Sequence, residues 1–152
     1  MTKVVEVLRG APALAGLGRE HLSAIERAAR VVECAPGEMI CPSADEDRRL
    51  FVLLEGELEV LVALREGERC GGEVRSKLDQ PGEVLGWALL VKRDRLATTA
   101  RCVTPSRLLS IDLARLPART GLALATSVAI HLYGRMRQLG LCPRRTSGLD
   151  AN

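Results

Sequence analysis

The stretch from Leu50 to Val60 reads LFVLLEGELEV and has the clearest strand pattern in the sequence. Its first five residues, Leu50–Leu54, are all apolar and favour a strand. Glu55-Gly56 then marks a turn, since glycine adopts turn conformations without the penalty that a Cβ brings. Beyond the turn, apolar residues alternate along one face of a second strand: Leu58, Val60, Val62 and Leu64. The stretch therefore predicts two successive β-strands.

Short apolar segments, each bounded by turn residues, continue this pattern on both sides of the stretch. The further strands that they predict are Val31–Cys34, Met39–Cys41, Val74–Leu78, Ala97–Val103 and Leu108–Ile111. Asp112 follows the last of these strands and is suited to cap a short helix over Leu113–Leu116.

Apolar residues at helical spacing predict a helix on each side of the strands. The first helix covers Glu20–Arg30 and carries Leu22, Ile25, Ala28 and Ala29. The second runs from about Ala118 to Gln138 and has one apolar stripe: Leu122, Ala125, Val128, Ala129, Leu132 and Met136. The whole pattern predicts an α+β fold, an antiparallel β-roll (a jelly-roll-like double-stranded β-helix) flanked by N-terminal and C-terminal helices.

Length and composition fit one soluble globular domain, since 47% of the 152 residues are hydrophobic and 27% are charged. We expect a domain over residues 1–139 and a flexible C-terminal tail over residues 140–152. The net charge is +3, and the basic residues are scattered, as on a solvated surface. Glu6 and Arg9 interrupt the apolar residues of the N-terminus, so we expect no secretory signal, no membrane association and a cytoplasmic location.

Counts of rare residue types argue against several functions. Five cysteines without a C-x-x-C pair and only two histidines argue against a metal site, and the cysteines are expected to be reduced. Cys34 and Cys102 lie among valines and are expected to be small packing residues. No Ser-His-Asp arrangement and no His/Glu cluster of the metal-cupin type stands out, so no catalytic residue and no enzyme activity are expected. Three aromatic residues are too few for stacking on single-stranded nucleic acid.

Four motifs in this order resemble the cyclic nucleotide-binding domain family, the ligand-sensing module of catabolite activator-type regulators, kinase regulatory subunits and gated channels. The matching segments are Leu17–Leu22, Pro36–Ile40, Leu50–Val60 and Pro81–Gly86. The resemblance extends roughly from Val4 to Gln138. It implies the β-roll fold and a regulatory or sensor role in signal transduction.

The resemblance also implies a ligand-binding cassette that begins at Gly86. In the family, the amide groups of a short helix face the cyclic phosphate, a Glu after the Gly binds the ribose, and an Arg pairs with the phosphate. The ligand-binding residues implied here are Gly86, Trp87, Ala88, Leu89, Leu90, Arg95, Leu96, Ala97, Thr98 and Thr99. The ligand implied for the cassette is a cyclic nucleotide, cAMP or cGMP.

Two departures from the family pattern bear on the ligand. Trp87 takes the position of the ribose-binding Glu, and an indole has one donor and no acceptor. Arg95-Leu96-Ala97-Thr98 matches the family's Arg-x-Ala-Thr strand only with a loop one residue shorter, whereas an alignment without a gap puts Leu96 in the arginine position. The sequence is thus a Gly-Trp variant without the ribose-binding Glu, similar to a group of bacterial stand-alone or regulator-linked members.

Two functions remain open. The first is a stand-alone sensor that binds a small anionic ligand, with Lys92, Arg93 and Arg95 attracting the anion. The alternative is a degenerate fold that acts as a ligand-free protein interaction module, in which Trp87 fills the pocket and the last helix contacts a second copy or an effector protein. Direct DNA binding is not expected, since the chain ends soon after the long helix and leaves no room for a helix-turn-helix.

Overall fold

The computed structural model describes residues 2–40, 49–64, 73–86 and 96–138. Three α-helices lie in this part of the chain: α1, Thr2–Gly10; α2, Arg19–Arg27; and α3, Ala118–Gln138. Its eight β-strands are β1, Ala29–Cys34; β2, Met39–Ile40; β3, Arg49–Glu55; β4, Leu58–Leu64; β5, Glu73–Leu78; β6, Val84–Leu85; β7, Leu96–Cys102; and β8, Ser106–Asp112. Short 3-10 helices cover Pro12–Leu14 and Leu113–Arg115.

The strands form two antiparallel sheets of four, in the orders β1-β8-β3-β6 and β2-β7-β4-β5. Strand β3 pairs with β8 and β6, whereas β4 pairs with β7 and β5. The turn at Glu55-Gly56 therefore carries the chain from one sheet to the other. This arrangement confirms the predicted α+β fold with an antiparallel β-roll.

The continuous apolar run in β3 is explained by burial on both faces of its sheet. Leu50, Val52 and Leu54 pack against the helices, in a cluster that includes Ile25 and Leu124. Phe51 and Leu53 point the other way, into the roll, where they join a second cluster: Cys34, Leu58, Val60, Leu78, Leu85, Ala100, Cys102 and Leu108. Cys34 and Cys102 are buried there, as expected of packing residues.

Hydrogen bonds made by side chains of α3 tie the helical layer together. Ser127 Oγ on α3 donates to the carbonyl of Ala13 at 2.6 Å. His21 Nδ1 on α2 lies 2.9 Å from Thr120 Oγ1 on α3. Both contacts join α3 to segments about a hundred residues earlier, so α3 closes the helical face of the first sheet.

Gly56 has a structural reason to be glycine. Its φ is +110°, and a Cβ at this position would lie 2.7 Å from the Cα of Ser106. Ser106 is itself buried and accepts a 3.1 Å hydrogen bond from the amide of Glu57. The turn between the sheets is thus packed directly against the start of β8.

Several predicted boundaries need correction. The first predicted helix ends at Arg27 rather than Arg30, because Ala29 already pairs with Ile111 in β1. Helix α1 and strand β6 were not predicted. Asp112 does cap the short helix at Leu113–Arg115, accepting a 3.1 Å hydrogen bond from the amide of Ala114. Cys41, which was placed in a strand, and the proposed tail at residues 140–152 lie outside the described residues.

The predicted single stripe of α3 was also wrong. Leu124 and Val128 are buried against the domain, and Leu132 is partly buried there. Leu122, by contrast, is 71% exposed, and Ala129 is exposed as well. The side chain of Met136 is outside the described part of the structure. Helix α3 has two apolar faces, which the sequence pattern merged into one.

None of the helices that the structure describes is long and apolar enough to cross a membrane.

Candidate functional site

The two ends of the implied cassette belong to different sheets. Gly86 follows β6, which pairs with β3 through Leu85 and Phe51. Leu96 begins β7, which pairs with β4 through Leu64. The segment between Gly86 and Leu96 therefore links the first sheet to the second.

Both ends of the cassette lie at the same end of the roll. Strand β3 runs towards the Glu55-Gly56 turn and β4 runs away from it, so the start of β3 and the end of β4 are both remote from that turn. Gly86 continues β6 towards the start of β3, and Leu96 lies opposite the last residue of β4. We call the end of the roll formed by Gly86, Leu96 and the start of β3 the cassette end.

Of the ten implied ligand-binding residues, the structure places five. Gly86 is buried, with a φ of +92° that favours glycine. The others are in β7, where Leu96, Ala97, Thr98 and Thr99 pair with Leu64, Ala63, Val62 and Leu61. The remaining five lie outside the described residues: Trp87, Ala88, Leu89, Leu90 and Arg95. Their contribution to a site stays a prediction.

The turn that leads into the cassette is held by charge-assisted and backbone hydrogen bonds. The Glu83 carboxylate accepts from the amides of Asp79 and Gln80, at 2.9 and 3.0 Å. The Gly82 amide donates to the carbonyl of Leu53, and the Leu53 amide donates to the carbonyl of Glu83, both at 2.8 Å. These contacts fix the start of β6, and with it Gly86, on the central strand β3.

A cation that the sequence reasoning missed lies at the cassette end. Arg49 is the first residue of β3, and its Nη1 donates a 3.2 Å hydrogen bond to Ser110 Oγ. Ser110 is only 1% exposed and pairs in register with Phe51. Since Phe51 points into the roll, the hydrogen bond directs the Arg49 side chain towards the interior. The signal in the sequence is a basic residue two positions before Phe51, on the same strand face.

The opposite end of the roll has a different character. A cleft of about 610 Å³ there is lined by residues that include Glu33, Glu38, Glu55 and Arg107. Arg107 Nη1 lies 3.5 Å from Glu55 Oε1, so its charge is offset within the cleft. Three carboxylates against one guanidinium make this cleft unfavourable for an anion.

Comparisons with known proteins agree with the fold. The model of the cyclic nucleotide-binding domain family matches residues 31–118. No protein of curated function matches the sequence.

Three solved structures illustrate the likeness in three dimensions. The N-terminal domain of a transcriptional regulator from Streptomyces coelicolor is 22% identical, with a TM-score of 0.61, over 93% of this chain and 97% of that one. A candidate cyclic nucleotide-binding protein from Geobacter metallireducens is 26% identical, with a TM-score of 0.64, over 86% and 96%. The guanosine-bound regulatory subunit of a cAMP-independent protein kinase A from Trypanosoma cruzi is 20% identical, with a TM-score of 0.66, over 91% of this chain but 50% of that one.

Proposed function

This chain belongs to the cyclic nucleotide-binding domain family, and on that basis we propose that it is a regulatory sensor module that binds a small anionic ligand in its β-roll. The observation that carries the proposal is the position of the cassette ends. Gly86, with its positive φ, and strand β7 lie at one end of an apolar roll and in different sheets. A ligand held by residues between them would contact both sheets at once, which is the arrangement that a sensor needs to couple binding to a change in shape.

The kinds of protein that share the fold support a regulatory rather than a catalytic function. The similar structures include a domain of a transcriptional regulator and a kinase regulatory subunit. In the described residues, no group of three or more His, Cys, Asp and Glu side chains is placed to hold a metal ion. We propose that the domain covers residues 1–139 and that it acts in the cytoplasm.

The ligand that we propose is a small anion with an apolar part, and cAMP and cGMP are the first compounds to test. Trp87 replaces the carboxylate that holds the ribose in the family, so we expect weak or no binding of cAMP. The guanosine complex of the similar trypanosome protein makes an uncharged nucleoside a useful comparison.

Isothermal titration calorimetry with cAMP, cGMP, guanosine and inorganic phosphate tests the proposal. Trp87 is the only tryptophan, so its fluorescence reports independently on binding at the cassette. For a phosphate-containing ligand, Arg95→Ala should weaken binding by about 1.5–3 kcal/mol, the range of hydrogen bonds to charged groups. Arg107→Ala, at the opposite end of the roll, is the matched control and should leave the affinity unchanged. Tight cAMP binding would contradict the role assigned to Trp87, and binding of none of the compounds would contradict the sensor function.

A second function, contact with a second copy of this chain through α3, is favoured by an exposed apolar face. Leu122, Ile130 and Tyr133 are 71%, 68% and 57% exposed. At 100° per residue they lie within about 80° of one another around the helix, opposite the buried Leu124 and Val128. An apolar stripe of this kind on one side of a helix suits symmetric packing against its own copy.

Sedimentation velocity with wild type, Tyr133→Glu and Ile130→Glu tests this contact. We expect a wild-type dimer and monomeric variants, because a charge in the centre of an apolar interface is strongly unfavourable. Gln138→Glu adds the same charge on an exposed position of α3 away from the stripe, and it should leave the dimer intact. A monomeric wild type would exclude the homodimer.

A further inference from the structure

We infer that a groove between helices α1 and α2 is a binding site for a small organic carboxylate with an apolar body. The residues that line it are all within the described part of the chain: Val5, Leu8, Arg9, Arg19, Leu22, Ser23 and Glu26. None of them belongs to the cassette or to the cleft at the opposite end of the roll. The groove therefore does not depend on ligand binding at the cassette.

The floor of the groove is apolar and continues the core. One face of each helix forms the groove, because the lining residues of each helix are spaced by one, three or four positions. Leu8 is 2% exposed and belongs to the cluster under the helices, and the half-buried Leu22 packs against the same cluster. An apolar group in the groove would therefore lie on the side chains of the core.

Two cations, Arg9 and Arg19, line the groove and are exposed. Neither guanidinium has an ion pair or a hydrogen bond with any residue that the structure describes. Glu20, the carboxylate next to Arg19 in the chain, is engaged elsewhere, since its oxygens lie 3.2 Å from Arg119 Nη2 and 3.7 Å from His21 Nε2. The donors of the two guanidinium groups are thus available to a carboxylate.

One carboxylate, that of Glu26, also lines the groove. Glu26 is seven residues after Arg19 in the same helix, so about 10 Å separates the two positions along the helix axis. Within the described ranges, no ion pair joins Glu26 to Arg9 or Arg19. Two guanidinium groups and one carboxylate leave a net charge that a singly charged anion balances. Because all three side chains are exposed, water and salt screen this attraction, and the apolar contact has to contribute as well.

The volume of the groove indicates the size of the apolar body. The groove encloses about 180 Å³, and an apolar cavity of about 150 Å³ holds a benzene molecule. A ring or a short chain therefore fits the groove, with its carboxylate at the arginines. Ser23, which is half-buried and lines the groove, has a hydroxyl that is a further donor. Hexanoate and benzoate have these properties.

Titration of the full chain with hexanoate tests the site, followed by NMR of isotope-labelled protein and by calorimetry. Hexanoate should bind and shift the amide signals of α1 and α2. Acetate lacks the apolar body and hexan-1-ol lacks the charge, so each should bind several-fold more weakly. A higher salt concentration should weaken the binding of hexanoate relative to that of hexan-1-ol, because salt screens the exposed guanidinium groups.

Variants of the lining residues test the two parts of the site separately. Arg9→Gln and Arg19→Gln should each weaken hexanoate binding by about two- to fivefold, the range for exposed ion pairs, and the double variant by about tenfold. Arg27→Gln removes the same charge from an exposed position of α2 that does not line the groove, so it is the matched control and should leave the affinity nearly unchanged. Ser23→Phe should abolish binding, because the larger side chain fills the groove.

The outcomes decide for or against the groove. Hexanoate binding that weakens in the double arginine variant and is lost in Ser23→Phe supports the carboxylate site, and the double variant alone decides if Ser23→Phe does not fold. Equal affinities for hexanoate and hexan-1-ol, an unchanged affinity of the folded double variant, or binding that survives Ser23→Phe would overturn the site, as would no binding of hexanoate. None of these outcomes touches the sensor function, which is tested by cAMP and the other compounds at the cassette.

Discussion

A Cβ on Gly82 would lie 2.9 Å from the Cα of Ala11, so the turn before β6 packs backbone to backbone against the N-terminal segment. Ala11 is itself 1% exposed. The contact places the entry to the cassette directly on the helical layer. Any shift of the N-terminal segment would therefore displace the residues that lead to Gly86.

Gly82→Ala tests this contact, with Gly37→Ala as its matched control. Both glycines have a φ near +90°, but a Cβ on Gly37 would meet nothing within 4 Å. The control should lose only the cost of a side chain in a left-handed conformation, about 1–2 kcal/mol. Gly82→Ala should lose a further ~1–3 kcal/mol from the clash with Ala11. Urea unfolding measures both, and equal losses would show that the contact with Ala11 can relax.

The strands of the roll could be predicted because their residues obey the local rules. The five apolar residues of β3 and the alternation of β4 are visible in the sequence, as is the turn at Gly56. What the sequence does not show is that β3 and β4 belong to different sheets, since pairing depends on contacts between segments distant in the chain. Strand β6, with two residues, is too short to have a periodicity of its own.

The helix α3 shows the limit of periodicity in another way. The sequence pattern puts the apolar Leu122 and Val128 on one stripe, yet Leu122 is 71% exposed and Val128 only 3%. Two polar residues, Thr120 and Ser127, are buried instead, because each has a hydrogen-bond partner in the N-terminal segments. Burial of such polar residues depends on a partner far away in sequence.

The hydrogen bond from Ser127 to Ala13 should matter for stability. It is buried and short, at 2.6 Å, and Ser127→Ala leaves the carbonyl of Ala13 without this donor. We expect a loss of about 1–3 kcal/mol in the free energy of unfolding. Thr126→Ala, which removes an exposed 2.9 Å bond to the Leu122 carbonyl within the same helix, is the control. Its effect should stay below about 0.5 kcal/mol, and similar losses in both variants would argue against an anchoring role for Ser127.

Glu83 should contribute through the turn that it caps rather than through its ion pair. Its Oε2 accepts two amide hydrogen bonds, while its Oε1 is 3.7 Å from Nη1 of Arg135, a half-exposed side chain. Glu83→Ala should cost about 1.5–3 kcal/mol, whereas Arg135→Ala should cost less than about 0.5 kcal/mol, as exposed pairs do. Chemical unfolding of both variants and of the double variant checks this, and a larger effect of Arg135→Ala would give the ion pair the leading role.

The pH dependence of the free energy of unfolding should include a contribution from the Cys34 thiol. Burial raises the pKa of its thiol, and the charges of Cys102 and Glu38 raise it further. The native state therefore keeps the Cys34 proton at a pH where the unfolded chain has lost it. The contribution of the Cys34 thiol to stability is thus complete below the pKa of the unfolded thiol, and it declines as the pH rises above that pKa. The difference in unfolding free energy between wild type and Cys34→Ala should thus be constant at neutral pH and shrink as the pH rises above about 8.5, the ordinary pKa of a thiol. Urea unfolding across this range, under reducing conditions, measures the difference, and a difference independent of pH would show that the Cys34 thiol ionises alike in the folded and unfolded states.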